Sequence, residues 1–181
     1  FTLLDEEIKD VPPGSEGLMA LPYFMGERSP IWDPDARGAI IGLSLYHKQK
    51  HIYKALLESA AYSLRHNMEQ AENARIKLND HCMITGGVAK SKTWVQIFAD
   101  VTGFHMKRIQ NEVEAPLGDA FLAGLGVGIF SKPEEIKKWI AFKEPVKVNS
   151  QNHTVYQRYY HYYLQLYNNN KTLMAKMAEE N

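Results

Sequence analysis

Residues 83–100, MITGGVAKSKTWVQIFAD, contain the double glycine around which the rest of the chain is organised. The short apolar run from Cys82 to Ile84 predicts a buried strand. Gly86 and Gly87 then predict a sharp turn or a close approach to the backbone. Ser91 suits the N-cap of a following helix, because its hydroxyl can accept an amide hydrogen of the first turn. The apolar face of that helix recurs at helical spacing through Trp94, Ile97, Phe98 and Val101.

A strand, a glycine turn and a helix N-terminus together form a default site for anions and nucleotides. The free amide groups and the helix dipole both point towards such a turn. An ordinary connection between a strand and a helix has the same local pattern. The residues alone therefore leave both interpretations open.

A second nucleotide motif competes for the same residues. The segment Gly86 to Thr93, GGVAKSKT, differs by one residue from the P-loop pattern G-x-x-x-x-G-K-[ST], because Ser91 stands where the second glycine belongs. A side chain there is strained at positive φ and crowds the backbone amides that surround a phosphate. No apolar strand ending in aspartate follows that would hold Mg²⁺. We therefore disfavour the P-loop.

The composition is that of one globular domain. The chain has 181 residues, of which 45% are hydrophobic, and this is enough for a sizeable core. Lys and Arg together number 21, as do Asp and Glu, so no net charge draws the chain towards nucleic acid or an anionic membrane. Cys82 is the only cysteine, and we expect it to pack as a small hydrophobe in a reducing cytoplasm. Neither a signal peptide nor a membrane-length apolar run is present.

Flanking patterns predict further strands and helices. Residues 17–24 and 38–45 are expected to be strands, joined by a loop rich in proline and charge. A long helix is predicted from about Lys48 to Asn73, with one face of small and apolar residues. A short strand is predicted at residues 105–109. Residues 115–130 are expected to form a helix whose four glycines indicate close packing.

The last helix is predicted to begin at the capping-box pattern Thr154 to Gln157 and to run to about Glu179. Five tyrosines recur along it: Tyr156, Tyr159, Tyr160, Tyr163 and Tyr167. This stripe is more typical of amphipathic packing than of a ligand cage.

Two histidines near the start of the long helix have the spacing of metal ligands. His47 and His51 are four residues apart, but no third ligand accompanies them. We therefore expect both to be surface histidines and predict no metal site.

Four blocks of sequence, in this order, carry a resemblance to a known family. They are LPYFMGERSPIWDPDARGAIIGL at 21–43, ALLESAAYSLRHNME at 55–69, ITGGVAKSKTWVQIFADVTG at 84–103 and EAPLGDAFLAGLGVG at 114–128. Together they resemble the C-terminal domain of the FGGY carbohydrate kinases, and the xylulokinase-like and gluconokinase-like members most closely. Residues 38–58 look like the second signature of that family.

The resemblance implies an α/β domain with the ribonuclease-H-like fold of the actin and hexokinase superfamily, in which helices flank a mixed sheet. We expect residues 17–149 to form this domain and residues 150–181 to add a C-terminal helix packed on it. Residues 1–16 are then a segment leading in from a truncated upstream region. Phe1, in place of an initiator methionine, also suggests a piece of a longer protein.

The resemblance also implies where the nucleotide binds. In the family the Gly-Gly turn lies against the nucleotide, so Gly86 and Gly87 are the expected contacts, with Val88 and Ser91 beside the adenosine or the phosphates. Glycerol kinases have asparagine at the position of Ser91, so an adenine contact made by that amide is missing here. Serine can still offer a hydroxyl.

The activity implied is that of an ATP-dependent sugar kinase with Mg²⁺, with D-xylulose as the first expected acceptor and gluconate or another polyol as the second. In the family the catalytic aspartate and most sugar contacts lie in the N-terminal domain. We therefore expect no catalytic residue in this chain and no turnover from the chain alone. Gln96 and Asp100 are left open as ribose contacts, and the simpler role of Asp119 is to complement a helix dipole.

An alternative from another class is a non-catalytic binding or assembly module built on the same fold. One observation distinguishes the sugar kinase from the non-catalytic module. A kinase is expected to have a D-x-G-T-like turn, and an aspartate after an apolar strand, in the reading frame upstream of this chain. ATP or ADP and the sugar are the expected ligands, the cytoplasm is the expected location, and a homodimer is left open.

Overall fold

The computed structural model describes residues 2–110 and 115–180. Phe1, Asn181 and Glu114, the first residue of the fourth block, lie outside these ranges. The helices and strands follow the chain in this order: α1 (Thr2–Glu7), β1 (Met19–Leu21), β2 (Ala39–Ile41), α2 (Gln49–Asn73), β3 (His81–Ile84), α3 (Gly86–Lys90), α4 (Lys92–Thr102), β4 (His105–Arg108), α5 (Ala115–Gly126) and α6 (Ser150–Glu179). Short 3-10 turns lie at Ser15–Gly17 and Pro133–Lys138. In the described ranges, no helix is both long and apolar enough to cross a membrane.

The strands form one antiparallel and one parallel pair. β1 pairs antiparallel with β2, with Met19 opposite Ile41. β3 pairs parallel with β4, with Ile84 opposite Arg108. All four predicted strands are present; β1, β2 and β4 are shorter than expected, and β3 is one residue longer. The mixture of directions agrees with the predicted mixed α/β class. Because β3 and β4 are parallel, the turns that follow them leave from the same edge.

The prediction that β3 is a buried strand is wrong for one of its faces. Cys82 and Ile84 are partly buried against the core. Met83, between them, is 65% exposed. Successive side chains of a strand point to opposite faces, and only the face of Cys82 and Ile84 packs against the core. An apolar run of three residues therefore did not distinguish a strand covered on both faces from one covered on a single face.

The core lies where α2, α4 and α6 pack together with β1. Tyrosines of α6 contribute heavily to it, with Tyr156, Tyr160 and Tyr163 all buried. The Tyr163 hydroxyl lies 2.6 Å from that of Tyr23, and its ring centroid lies 5.4 Å from that of Tyr62 on α2. This confirms the prediction that the tyrosine stripe serves packing. Whether residues 1–16, 17–149 and 150–181 are separate units stays a prediction.

The start of α6 differs from the predicted capping box. Asn149 is the N-cap, and its Oδ1 accepts hydrogen bonds from the backbone amides of Gln151 and Asn152 at 3.0 and 3.2 Å. The Thr154 hydroxyl instead donates to the Ser150 carbonyl oxygen inside the first turn. The prediction was wrong because an earlier asparagine captures the free amides, so the helix begins one turn before the threonine.

The glycines of α5 differ in how closely other residues pack against them. A Cβ added to Gly124 would lie 2.5 Å from the Phe130 ring, so close packing is confirmed there. At Gly118 and Gly126 an added Cβ would have no described neighbour within 4 Å. The helix ends at Gly126 and not at Phe130, because the chain turns back and the Ile129 amide donates to the Gly124 carbonyl oxygen.

A left-handed turn connects the N-terminal segment to β1. Residues 14–17 have φ values of 84°, 49°, 59° and 90°, although two of them, Ser15 and Glu16, are not glycine. Gly42, just after β2, also has a positive φ of 91°, and a Cβ added to it would collide with the Gly17 carbonyl oxygen. The two loops therefore approach each other backbone to backbone.

Gly42→Ala is expected to lower the free energy of unfolding by roughly 2–4 kcal/mol, since positive φ and a steric collision act together. Urea unfolding measures this loss. Gly17→Ala is the matched control: its φ of 90° differs by one degree, but its added Cβ has no described neighbour within 4 Å. It should lose only the backbone component, roughly 1–2 kcal/mol. Equal losses in the two variants would contradict the proposed collision.

Candidate functional site

The glycine turn lies at the carboxyl end of β3, the edge at which parallel strands of α/β proteins commonly meet their ligands. Thr85 is extended, with φ −134° and ψ 177°, and Gly86 then takes a positive φ of 74°. An L residue at that φ is strained by about 1–2 kcal/mol, so the turn explains the glycine at position 86. The predicted sharp turn is present.

The chain does not pass straight from this turn into α4. The five-residue helix α3 intervenes, and Ser91, with φ −94° and ψ 111°, separates the two helices. The Ser91 hydroxyl accepts a hydrogen bond from the Trp94 amide at 2.9 Å, which confirms Ser91 as the N-cap of α4. Ser91 is 1% exposed. Its hydroxyl oxygen is therefore committed to capping.

Gly87 and Val88 form the accessible part of the turn. A Cβ added to Gly87 would have no described neighbour within 4 Å, so bare backbone faces open space there. Val88 is half-buried, with its side chain packed against the core. The space beside Gly87 lets a flat or charged group approach the main chain closely. Gly86, Gly87, Val88 and Ser91 thus share one short segment, of which Gly87 offers the open surface.

Trp94 fixes α4 against α2. Its indole Nε1 donates to the Leu57 carbonyl oxygen at 3.1 Å, and its ring packs on the core 5.9 Å from the Phe98 ring. This agrees with the expected core face of the helix. The turn is consequently held on a rigid element.

Gln96 and Asp100 face the segment before α6. The Asp100 Oδ1 accepts hydrogen bonds from Gln96 Nε2 at 2.7 Å and from the Asn149 amide at 2.8 Å, and its Oδ2 accepts from Asn152 Nδ2 at 2.8 Å. Gln96 Nε2 also donates to the Lys147 carbonyl oxygen. Asp100 is 2% exposed. The pair, left open from sequence, therefore anchors the N-terminus of α6.

Asp119 lies on α5 and is exposed. It is the fifth residue of that helix and comes directly after the first turn, where a carboxylate complements the helix dipole most strongly. The helix start is therefore a weaker explanation of this residue than its sequence position suggested.

The histidine prediction was half wrong. His47 is partly exposed, but His51 is 3% exposed. Its Nδ1 accepts a hydrogen bond at 2.9 Å from the backbone amide of Lys48, the N-cap residue of α2. Sequence spacing could not distinguish a capping imidazole from a surface one. Across residues 2–110 and 115–180, no group of three or more His, Cys, Asp or Glu side chains could hold a metal ion.

A buried charge cluster on α2 was not anticipated. Glu58, 1% exposed, accepts hydrogen bonds from the Gly14 amide at 3.0 Å, the Ser15 hydroxyl at 2.8 Å and the Tyr156 hydroxyl at 2.8 Å. Lys54, one turn earlier, donates to the Val11 carbonyl oxygen. Burial raises the pKa of Glu58, and the charge of Lys54 opposes that rise. The sequence signal for this cluster was the pair Lys54 and Glu58, four residues apart on an apolar face of the helix.

Cys82 is the only thiol, and it lies in β3 one residue before Met83. Burial raises the pKa of the Cys82 thiol, which keeps it protonated. This agrees with a packing role.

The chain is a mixed α/β domain with a glycine turn at the end of a parallel strand, and its structural neighbours are sugar kinases of the actin and hexokinase fold. A solved structure of ligand-bound xylulose kinase from Lactobacillus acidophilus superposes with a TM-score of 0.84 and 25% identity, covering 96% of this chain and 35% of that one. Gluconate kinase from the same species superposes with a TM-score of 0.82 and 25% identity, covering 98% of this chain and 35% of that one.

Residues 2–127 match the C-terminal domain of the FGGY family of carbohydrate kinases. The xylulose kinase of Lactococcus lactis subsp. lactis (strain IL1403) is 34% identical over 183 residues, which cover 100% of this chain and 36% of that protein. The chain belongs to the FGGY family of carbohydrate kinases. It spans about a third of the length of the curated relatives it matches.

Proposed function

We propose that this chain is the nucleotide-binding domain of an ATP-dependent sugar kinase that phosphorylates D-xylulose. The observation that carries the proposal is the open backbone at Gly87, at the carboxyl end of a parallel strand, in a chain of the FGGY family. In the proposed complex, Gly86 and Gly87 lie against the nucleotide and Val88 borders it, while the buried Ser91 supports the turn from behind.

The proposed role of the turn is to bind and orient ATP. Bare backbone at Gly87 admits the nucleotide, and Val88 adds apolar surface beside it. Ser91 contributes by capping α4, which keeps the turn in place. None of these four side chains can take the proton from a sugar hydroxyl, so a general base from elsewhere in the protein is required.

Magnesium accompanies ATP in kinase chemistry and neutralises charge on the phosphates. It prefers oxygen ligands such as carboxylates, and the four residues of the turn include none. We therefore assign its binding to the nucleotide phosphates and to other parts of the protein. The proposed enzyme is cytoplasmic, with ATP, ADP and the sugar as its ligands.

The choice of D-xylulose rests on relatives rather than on a sugar contact in this chain. Xylulose kinases match 91% or more of the chain at 34% identity. Gluconate is the second candidate, supported by the gluconate kinase superposition. A substrate screen of the whole kinase, with the two sugars compared at equal concentration, tests the order.

Gly87→Val in the whole kinase should raise the KM for ATP at least tenfold, corresponding to about 1.4 kcal/mol or more, because a side chain fills the space beside the turn. The KM for the sugar should change by less than about twofold, and the melting temperature should hold because the added atoms meet open space. Steady-state kinetics with each substrate varied in turn measures both constants.

Gly126→Val is the control for this variant. It makes the same change at another glycine whose added Cβ has no described neighbour within 4 Å, at the end of α5. Its KM for ATP should match the wild type. If the folded Gly87→Val enzyme has an unchanged KM for ATP, the glycine turn does not contact the nucleotide and the proposal is wrong.

A further inference from the structure

Arg108 is the last residue of β4 and lies at the same edge of the sheet as the glycine turn. It is opposite Ile84 in the parallel pair, and Gly86 follows Ile84 by two residues. Paired strands are about 4.8 Å apart and two extended residues span at most about 7 Å, so a guanidinium on its long stem can reach the turn. The Arg108 carbonyl oxygen accepts a hydrogen bond from the Lys143 amide at 2.9 Å, which holds the residue from the other side of its strand.

The Arg108 side chain lies on the face of the sheet that the core covers. Side chains alternate along a strand, so it shares this face with Met106, which is 0% exposed. Its partner Ile84 packs against the core, and so does Val88 in the helix after the turn. Arg108 is therefore on the side of the sheet towards which the chain continues from the turn.

The guanidinium of Arg108 has no partner in the described chain. The residue is partly buried, and its Nε is buried without a hydrogen-bond partner. Across residues 2–110 and 115–180, the side chain forms neither an ion pair nor a hydrogen bond. An arginine side chain stays protonated, and a charge removed from water is destabilising unless it is paired. We therefore expect an anion to bind here.

We propose that Arg108 binds the phosphate next to the ribose of the nucleotide, so that β4 and the glycine turn after β3 hold the same ligand. This role rests on the proposed function. A planar guanidinium binds a phosphate through two parallel hydrogen bonds. The terminal phosphate must meet the sugar hydroxyl, its general base and Mg²⁺, which the proposed function assigns to other parts of the protein. The phosphate that stays beside the turn is therefore the one nearest the nucleoside.

A carboxylate of the protein is the competing partner for Arg108. Glu144 follows Lys143 and is exposed, and it does not pair with Arg108 in the structure. Glu112 and Glu114 are the next carboxylates in the sequence, and they lie outside the described residues. Pairing with a carboxylate would make Arg108 a stabilising residue of the fold, whereas a phosphate-binding role leaves its charge uncompensated in the free protein. The two cases differ in the melting temperature without nucleotide.

Arg108→Gln in the whole kinase tests the role, with AMP and adenosine as inhibitors competitive with ATP. The inhibition constant for AMP should rise at least tenfold, which corresponds to about 1.4 kcal/mol, because the phosphate loses a charged donor. The constant for adenosine, which has no phosphate, should change by less than about twofold. The melting temperature without nucleotide should not fall, since the variant removes an unpaired and partly buried charge.

Lys107→Gln is the matched control. Lys107 is also partly buried, but its side chain lies on the opposite face of β4, so both inhibition constants should equal those of the wild type. Equal rises for AMP and adenosine in Arg108→Gln, or a lower melting temperature with neither constant changed, would overturn the proposal.

Gly87→Val distinguishes a failure of the proposed function from a failure of the role of Arg108. It should raise the inhibition constants for AMP and adenosine alike, because its side chain fills the space beside the turn. If Gly87→Val changes neither constant, the proposed function is wrong, and the role of Arg108 with it. If Gly87→Val raises both and Arg108→Gln changes neither, only the role of Arg108 is wrong.

Should Arg108→Gln not fold, the wild-type protein provides a second measurement. A buried Nε–H exchanges slowly with water and gives its own proton–nitrogen signal, which is identified by its loss in Arg108→Lys. AMP should shift this signal, and adenosine should not. A signal that shifts with both ligands, or with neither, contradicts the proposal.

Discussion

Glu58→Ala is expected to lower the free energy of unfolding by roughly 3–5 kcal/mol, the usual loss when one partner of a buried charge pair is removed. The carboxylate is 1% exposed and accepts three hydrogen bonds from three separate segments. Its removal leaves the Gly14 amide and the Ser15 and Tyr156 hydroxyls without that acceptor. It also removes the stronger of the two negative charges that act on Lys54, which is 7% exposed; the weaker is that of Asp100.

The loss should be large because three buried donors lose their acceptor and Lys54 loses a charge that offsets its desolvation. Burial lowers the pKa of Lys54 and raises the pKa of Glu58, and each residue opposes the shift of the other through its charge. Each charge, without the other, would be destabilised by its burial in the core. Glu58 also fixes the left-handed turn through Gly14 and Ser15, and the two non-glycine residues of that turn carry strain of about 1–2 kcal/mol each.

Urea unfolding of the wild type and the variant at neutral pH measures the effect. Glu72→Ala removes an exposed carboxylate near the end of the same helix and should change the stability by less than about 0.5 kcal/mol. Tyr156→Phe removes only one of the three donors and should lose about 1 kcal/mol. A loss below about 1 kcal/mol for Glu58→Ala would mean that the cluster relaxes without its carboxylate.

The sequence predicted the elements that have strong local signals. The long helix was expected from Lys48 to Asn73 and runs from Gln49 to Asn73, because its periodicity extends over many turns. Ser91 was recognised as an N-cap since a hydroxyl before an apolar periodic run is a local signal. The family resemblance then supplied the fold, which four short strands alone would not have defined.

The failures concern residues whose roles depend on distant partners. His51 is buried because the loop of residues 42–48 closes over the start of α2, which spacing along a helix does not report. The roles of Glu58 and Asp100 arise from segments 44 and 49 residues away in the chain. For the candidate site, the turn was predicted from its glycines. The open surface at Gly87 and the buried position of Ser91 required the packing of α3 and α4.

Asp100→Ala is expected to lower the free energy of unfolding by roughly 2–4 kcal/mol and to loosen the N-terminus of α6. The carboxylate accepts hydrogen bonds from the Asn149 amide and the Asn152 side chain, both at the start of that helix. A negative charge at a helix N-terminus is also favoured by the helix dipole. The Asp100 carbonyl oxygen accepts a further hydrogen bond from His153 Nδ1 at 2.7 Å, which the substitution retains.

The loss of hydrogen-exchange protection should be greater at the start of α6 than in the rest of the domain. Hydrogen exchange of Asp100→Ala should show the first turns of α6 losing protection while β3 and β4, which make no hydrogen bond to this carboxylate, keep theirs. Asp100→Asn retains the size and one acceptor oxygen but directs an amide group at other donors, so its loss should lie between that of wild type and alanine. Uniform loss of protection across α6 and both strands would show that Asp100 stabilises the whole domain and that anchoring of α6 is not its particular role.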